Sequence, residues 1–486
     1  MKRKIGLIEL PALKLVDPSG KNWTALRRRE PLVSKQILIP QLLAGGFDVH
    51  LFNLKDGENE TSFGTVTWRG LNLNKILVGR PLQLNARDMD VWGMTVNYMQ
   101  EREPACMLIR QLSKDRPVVV GGSDAFADPE PYLRAGAVAV VTEKSGAANY
   151  TVLDYALGKQ PREPLAGVML ADGRRFSSRK PMSPEDWPLP SLAVAKQCLG
   201  TQYWEDALPS ELLPIGSVLP DIGCDRHCDF CETPLYKLGY RRMSPERALE
   251  WFALQKQAGA RSVICPSDQF LARILYKGGR DEILEIMRGV RELGLSILWG
   301  NGLELKKATL GRGLPNGDPT PDEDLVRALW GWDGSVGCYH AFIPAERPTF
   351  GREAYAKLLP WEQHRTMLET IVGAGLPALT YGVIVGFPDD SHETLSRLES
   401  AIAELCGRLK TINPALRFVV VPYAIRPITG TPLEAKIRGQ GLIRFEDPAI
   451  VGGFWTACAD TLHINYEKVS DWQERLMAIG DPMTQW

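Results

Sequence analysis

The stretch DIGCDRHCDFCETP, residues 221–234, carries three cysteines within eight positions. Cys224, Cys228 and Cys231 follow one another with the spacing Cys-x3-Cys-x2-Cys. A structural zinc ion uses four ligands, usually as two separated pairs, and no further pair of cysteines follows these three in the sequence. Three thiolates with one position left open suit a cubic iron–sulfur cluster, whose fourth iron can take another ligand. A zinc knuckle and three unrelated buried cysteines are the alternatives that the spacing leaves open.

Strand and helix patterns alternate on both sides of these cysteines and predict a parallel sheet. We expect an open, partial (β/α)6 barrel with the cysteine loop after its first strand. The predicted strands are 213–219, 261–266, 295–301, 334–342, 379–387 and 416–423. The predicted helices are 244–259, with Ser244 as its N-cap, and 280–293, 322–331, 360–374 and 390–409.

An earlier alternation fills the first 160 residues and predicts a separate α/β unit. Its strands are expected at 4–10, 47–52, 90–96, 117–122 and 137–142, with helices at 32–46 and 103–115. Such a Rossmann-like (flavodoxin-like) sheet is parallel and covered on both faces, and its ligands lie beyond the carboxyl ends of the strands. The predicted domains are 1–160, a surface linker over 161–205 with a hairpin at Asp172-Gly173, the barrel over 206–428, and a mostly helical region over 429–486.

The composition excludes several classes of protein. The chain has 486 residues, a formal net charge of -1 and nine cysteines, six of them scattered singly. This is no disulfide framework, and a general nucleic-acid binder would carry a basic excess. The apolar run at the N-terminus is too short for a signal peptide, and no run reaches the roughly 20 residues of a membrane span. We therefore expect a cytoplasmic protein that binds neither nucleic acid nor membrane.

The cysteine loop at the end of a first barrel strand resembles that of the radical S-adenosylmethionine (SAM) superfamily. The segment YGVIVGFPDDSHETL, residues 381–395, is similar to a late strand and turn of that family. The resemblance implies that the three cysteines bind a 4Fe–4S cluster and that SAM binds its fourth iron. It also implies that Phe230 and Gly386 shape the adenine site, and that an external flavodoxin- or ferredoxin-type protein supplies electrons.

Residues 117–146 resemble the cobalamin-binding domain that precedes the radical barrel in one large subgroup. The resemblance implies that cobalamin contacts Thr95, Asn97, Gly121, Gly122, Ser123 and Glu143. The motif Asp-x-His-x-x-Gly, whose histidine binds cobalt in many cobalamin proteins, has no match, because DVHLFN (48–53) lacks the glycine and reads as a strand. We expect Trp68 and Arg69, on a loop around 65–75, to lie beneath cobalt instead. An arginine solvated on a loop is the alternative.

Other segments depart from the superfamily pattern. CPSDQFLAR (265–273) places Asp268 where many members hold the methionine amine, and Asn301 and Glu304 are expected near the barrel mouth. Where many members have Gly-Ile-Glu-Ser, this chain has GCYHAF, with Tyr339 and His340. These departures resemble the tryptophan 2-methyltransferase branch, in which SAM only remethylates cobalamin. We expect Tyr339, His340 and Glu304 to act at the substrate, whereas ordinary strand packing is the alternative for the first two.

The combined resemblance implies a cobalamin-dependent radical SAM methyltransferase. Its methyl group would pass from SAM through cobalamin to an unactivated or aromatic carbon of a small molecule or peptide precursor in natural-product biosynthesis. The alternatives are a non-methylating cyclase or rearrangement enzyme, a cobalamin-binding regulator with a structural cluster, and a radical enzyme that has lost cobalamin.

Overall fold

The computed structural model describes residues 2–26, 28–203, 208–348 and 355–483. Its strands are β1 (Lys4–Glu9), β2 (Ala12–Val16), β3 (Asp48–Asn53), β4 (Asn59–Trp68), β5 (Leu71–Gly79), β6 (Val91–Thr95), β7 (Val118–Gly121), β8 (Ala139–Val141), β9 (Val168–Leu170), β10 (Arg175–Phe176), β11 (Ile215–Ser217), β12 (Asp221–Ile222), β13 (Arg241–Arg242), β14 (Ser262–Ile264), β15 (Ser296–Trp299), β16 (Cys338–Glu346), β17 (Ala378–Val385) and β18 (Arg417–Ala424). Its α-helices are α1 (Val33–Ala44), α2 (Arg102–Leu112), α3 (Ser123–Ala127), α4 (Glu130–Arg134), α5 (Asn149–Ala156), α6 (Leu192–Gln197), α7 (Pro245–Ala258), α8 (Gly279–Glu292), α9 (Glu323–Trp330), α10 (Trp361–Gly373), α11 (His392–Ile412), α12 (Pro432–Gly439), α13 (Pro448–Val451) and α14 (Tyr466–Met477).

The first sheet has seven strands in the order β10-β9-β8-β7-β6-β1-β3. Strands β3, β1, β6, β7 and β8 are parallel, as predicted. Side chains alternate across β7, so that Val118 and Val120 join a core with α2 and Val119 joins a second core with α1 and α5. This alternation is the physical basis of a sheet covered on both faces, and it confirms that expectation.

The predicted hairpin at Asp172-Gly173 is present as β9 and β10. It does not lie apart on the surface, because β9 pairs antiparallel with β8 and extends the first sheet. Val168 and Leu170 are fully buried in the core of that sheet. The expected surface linker is buried here because the residues of GVML are apolar. The domain boundary at residue 160 stays a prediction.

The second sheet has six parallel strands in the order β11-β14-β15-β16-β17-β18. The six strands match the prediction, and within the described residues β11 and β18 do not pair, so the sheet is open. Helices α7 to α11 lie between successive strands and bury one face of the sheet. Ser244 accepts a hydrogen bond from the backbone N–H of Arg247 (3.2 Å) and caps α7, as predicted.

A third sheet, β2-β5-β4, is antiparallel and was not expected from the sequence. It corrects the predicted loop around 65–75, which is a β4–β5 hairpin. Arg69 and Gly70 form its turn with φ angles of 51° and 72°, as two-residue hairpin turns require. Trp68 packs in one core with Val419 and Ile450, so this sheet and the C-terminal region cover the other face of the six-stranded sheet.

The described part of the C-terminal region contains three helices, α12, α13 and α14, which cover less than half of it, so it is less helical than predicted. His50 lies within β3, in agreement with its interpretation as a strand residue. Among the helices that the structure describes, none combines the length and apolar character needed to cross a bilayer.

Candidate functional site

A short antiparallel pair, β12 and β13, closes the base of the cysteine loop. Gly223 enters the loop with a φ of 78°, and a Cβ atom there would lie 1.7 Å from the carbonyl oxygen of Gly239. Only glycine therefore fits this position. The backbone N–H of Gly223 donates to Oδ2 of Asp268 (2.7 Å), which ties the start of the loop to the segment after β14.

The three thiols are partly exposed and form no disulfide. The loop turns tightly around them, because the N–H of Arg226 donates to Cys224 Sγ (3.4 Å) and the N–H of Cys231 donates to the carbonyl of Cys228 (3.2 Å). Burial raises the pKa of Cys224 to about 11 and that of Cys228 to about 12, and it also raises the pKa of Cys231. Three partly desolvated thiols on one short loop would need a cation to become thiolates, and three thiolates are the donor set of an iron–sulfur cluster.

The first half of the loop is fixed by a four-charge clamp, which we define as Asp225, Arg226, Glu304 and Lys307. Glu304 accepts from Arg226 Nε (3.1 Å) and from Lys307 Nζ (2.6 Å), and Lys307 also reaches Asp225 (2.7 Å). The side chains of Glu304 and Lys307 are 1% and 0% exposed. Glu304 lies where the sequence predicted, but its carboxylate is engaged in positioning the cysteine loop.

Beside the thiols lies a cavity of about 220 Å³, which we name the cluster cavity. It brings together predicted residues from the cysteine loop and from the ends of β14 and β15. These predicted residues are Phe230, Cys231, Asp268, Asn301 and Glu304. The carboxyl edge of the six-stranded sheet therefore forms the site, as expected for parallel strands.

Glu346 and Lys357 also line the cluster cavity, and neither was predicted from the sequence as a site residue. Glu346 ends β16 with a φ of 52°, is 8% exposed, and pairs with Lys357 through Oε1. Among the residues that the structure describes, its Oε2 is buried without a hydrogen-bond partner, as is Oε1 of Gln269 on the same wall. Two unsatisfied acceptors at one cavity favour a ligand that carries N–H donors.

Phe230 and Gly386 form a second part of the site. Gly386 adopts a φ of 87°, and its N–H and that of Phe387 donate to Oδ2 of Asp390 at 2.8 and 3.0 Å. The ring of Phe230 lies edge-on to Phe387, with centroids 6.5 Å apart, and edge-on to Tyr355 at 5.2 Å. The structure thus brings the two predicted adenine-site residues to one apolar wall beside the third cysteine.

The structure corrects the expectation for Tyr339 and His340. Both lie at the amino end of β16, six to seven residues before Glu346, which at about 3.3 Å per residue is roughly 20 Å from the carboxyl edge. His340 is 2% exposed and bonds Tyr203 and Thr380 through its two ring nitrogens, at 2.9 and 2.8 Å. Tyr339 packs on Trp332. Neither residue lines the cluster cavity, because β16 runs four residues beyond its predicted end.

The predicted cobalamin residues gather at the carboxyl edge of the seven-stranded sheet. Asn97 accepts from the N–H of Ser123 (3.2 Å), and a Cβ atom on Gly122 would lie 2.2 Å from the carbonyl of Val96. Thr95 and Gly121 end neighbouring strands, β6 and β7. Glu143 accepts from the N–H groups of Ser145 and Gly146 and so shapes its own loop.

Trp68 and Arg69 lie elsewhere. Trp68 is fully buried and donates through Nε1 to the carbonyl of Ala457 (2.9 Å). Arg69 pairs with Asp471 of α14 (2.6 Å). Both therefore contact the C-terminal region, and their placement beneath cobalt stays a prediction.

Comparisons with known proteins identify solved structures with a similar fold. No family model matches the chain. An uncharacterized methyltransferase from Pyrococcus horikoshii is 21% identical over 318 residues, which cover 63% of this chain and 62% of that protein. The solved cobalamin-dependent SAM radical enzyme OxsB, with aqua-cobalamin and SAM bound, matches 97% of this chain and 66% of its own with a TM-score of 0.66 and 12% identity. This chain thus spans less than two thirds of either relative.

The radical SAM methyltransferase TsrM from Kitasatospora setae was solved with cobalamin and a 4Fe–4S cluster bound. It matches 98% of this chain and 85% of its own with a TM-score of 0.60 and 14% identity. With tryptophan substrate and the SAM analogue aza-SAM bound, the TM-score is 0.63 and the identity 14%. The predicted resemblance is confirmed at the level of the fold: a mixed α/β chain with parallel sheets, as in cobalamin-dependent radical SAM enzymes.

Proposed function

We propose that this chain is a cobalamin-dependent radical SAM methyltransferase acting on a carbon atom of a small molecule. One observation carries the proposal: three thiols lie on one tight loop, the third of them lines the cluster cavity, and the segment after that loop contacts the glycine-rich edge of a second parallel sheet. The fold shared with OxsB and TsrM supports it. An external flavodoxin- or ferredoxin-type protein would supply electrons.

The residues present fit the groups that this function needs. Cys224, Cys228 and Cys231 would hold the 4Fe–4S cluster. Phe230 would contact the adenine of SAM, and the free acceptor oxygens of Gln269 and Glu346 would take its ammonium N–H groups. These acceptors are buried, so a bound ammonium would satisfy them without water.

Cobalamin would lie against Asn97, Gly121, Gly122 and Ser123, where glycines allow close approach to the backbone. When bound, it supplies a methyl carrier whose chemistry belongs to the cofactor. The chain's own contribution would be to hold the two ligands at facing edges of two sheets. Burial raises the pKa of Glu346 at the cavity wall, and the paired Lys357 opposes that rise.

Part of the sequence evidence for the tryptophan 2-methyltransferase branch was the absence of an acid at Tyr339 and His340. Glu346, however, supplies an acid at the end of the same strand. We therefore propose methyl transfer without naming the acceptor molecule, and the non-methylating alternative is left to experiment.

The test is anaerobic reconstitution with iron, sulfide and hydroxocobalamin, followed by SAM labelled in its methyl group. We expect a retained corrin absorption band, the EPR signal of a reduced 4Fe–4S cluster, and S-adenosylhomocysteine as a product. Protein that retains no corrin would overturn the proposal. Formation of 5′-deoxyadenosine without S-adenosylhomocysteine would favour the cyclase or rearrangement alternative.

A further inference from the structure

The segment that follows the third cysteine touches the other sheet directly. Tyr236, in the short 3-10 turn Thr233–Tyr236, donates its hydroxyl hydrogen to Ser123 Oγ (2.9 Å). Its ring lies edge-on to Phe126 with centroids 4.9 Å apart. Ser123 and Phe126 belong to α3, which begins immediately after the glycine pair that ends β7. One side chain thus joins the cysteine loop to the edge of the seven-stranded sheet.

A half-buried lysine strengthens this contact. Lys144 donates from Nζ to the same Ser123 oxygen (2.8 Å) and lies 5.1 Å above the ring of Tyr236. Burial raises the pKa of Tyr236, so its hydroxyl keeps its proton and remains a donor. The ring face receives the ammonium by a cation–π contact while the hydroxyl bonds the serine. Ring, hydroxyl and ammonium therefore fix Tyr236 in one orientation.

We infer that Tyr236 is a positioning residue that sets the distance between the cluster site and the cobalamin site. The inference rests on the proposed function. Tyr236 is five residues from Cys231, and Ser123 follows Gly122 directly, so the hydrogen bond joins the walls of both sites. Group transfer between two bound partners depends steeply on their separation, and a 1 Å error can cost about a hundredfold in rate.

The experiment compares Tyr236→Phe with the wild-type holoenzyme and with Tyr276→Phe, a control at a tyrosine that is 44% exposed. Tyr236→Phe keeps the ring and removes only the hydroxyl. After reconstitution and reduction with dithionite, pulsed EPR measures the distance distribution between the cluster and cob(II)alamin. We expect Tyr236→Phe to retain iron and corrin, to broaden or shift that distribution, and to slow transfer of the labelled methyl group by roughly 5- to 10-fold, as for one lost hydrogen bond.

Ser123→Ala removes the same bond from the other side and guards against a folding defect in the first variant. Ser123→Ala also removes the bond from Lys144, so, if the contact acts as inferred, the double variant will resemble Ser123→Ala. A distance distribution in both single variants that matches the wild type would overturn the inference while leaving the proposed function intact. A wild-type protein that retains no corrin would instead overturn the proposed function.

Discussion

Replacing Glu304 by glutamine tests the four-charge clamp that holds the first half of the cysteine loop. The substitution keeps the shape and one acceptor oxygen but removes the charge that Arg226 and Lys307 share. Lys307 is fully buried and, within the described part of the chain, keeps Asp225 as its one remaining carboxylate partner, at 2.7 Å. The loop should therefore open more readily where Asp225 and Arg226 anchor it.

The size of the effect follows from burial. Removing one partner of a buried ion pair costs about 3–5 kcal/mol, and the remaining Asp225 contact places this case near about 3 kcal/mol. A matched control is Glu323→Gln, whose pair with Arg327 is 3.9 Å long, with both side chains more than 70% exposed. Such a surface pair contributes about 0–1 kcal/mol. The two substitutions make the same chemical change, so their difference isolates the effect of burial.

Hydrogen–deuterium exchange of a peptide that covers 221–234 measures this opening. Because about 1.4 kcal/mol is a factor of ten, exchange in Glu304→Gln should be faster by about a hundredfold while distant core peptides stay unchanged. Glu323→Gln should match the wild type. Equal exchange in all three proteins would refute the clamp, and uniformly faster exchange would show a global loss of stability instead.

Other consequences of the structure can be checked separately. Cys224→Ala should abolish the 4Fe–4S EPR signal after reconstitution, whereas Cys106→Ala, at a buried cysteine of the seven-stranded sheet's core, should leave it intact. Burial raises the pKa of Asp221 in the folded protein to about 6. In the unfolded chain the same carboxyl group ionises near pH 4, so the folded state loses about 3 kcal/mol of stability relative to the unfolded state as the pH rises from about 4 to 6. Asp221→Asn should therefore be more stable than the wild type at pH 7, and urea unfolding at pH 4 and 7 would show the difference shrinking towards acid. Glu346→Gln should weaken SAM binding by about 10- to 100-fold in equilibrium dialysis, because it removes a charged acceptor. Tyr339→Phe should leave the rate of methyl transfer unchanged, and a large drop would restore that residue to the site.

Elements with a regular pattern were predictable because their signal is local. The strands and helices of both parallel sheets repeat apolar residues at strand and helix spacing, so their order could be read directly. The β4–β5 hairpin gave no such signal. Most residues of β4 are exposed, and its turn uses Arg69-Gly70 in place of the common Asn-Gly. Contacts with residues far away in the sequence order this segment, among them the bond of Trp68 to Ala457 and the pair of Arg69 with Asp471.

The candidate site was partly predictable for a different reason. Residues of the cysteine loop and of the ends of β14 and β15 could be placed, because a motif or a short strand marks the edge of the sheet. In β16 the edge lies six residues beyond His340, and the apolar run AFIPA does not reveal where the strand ends. Glu346 was missed for that reason. Lys357 and the clamp depend on contacts between distant segments, which a single sequence does not show.

More than one buried contact fixes how the seven-stranded and six-stranded sheets lie relative to each other. Gln36 of α1 donates to Ser217 at the end of β11 (2.9 Å) and accepts from Gln255 of α7 (2.8 Å), and all three side chains are fully buried. An amide satisfied on both sides in a dry interface is bonded in one relative orientation, because any rotation would leave buried polar groups unpaired. Tyr236 makes a second contact between the same two parts of the chain. Together the two contacts restrain how the two sheets lie relative to each other, and this supports a fixed distance between the two proposed cofactor sites.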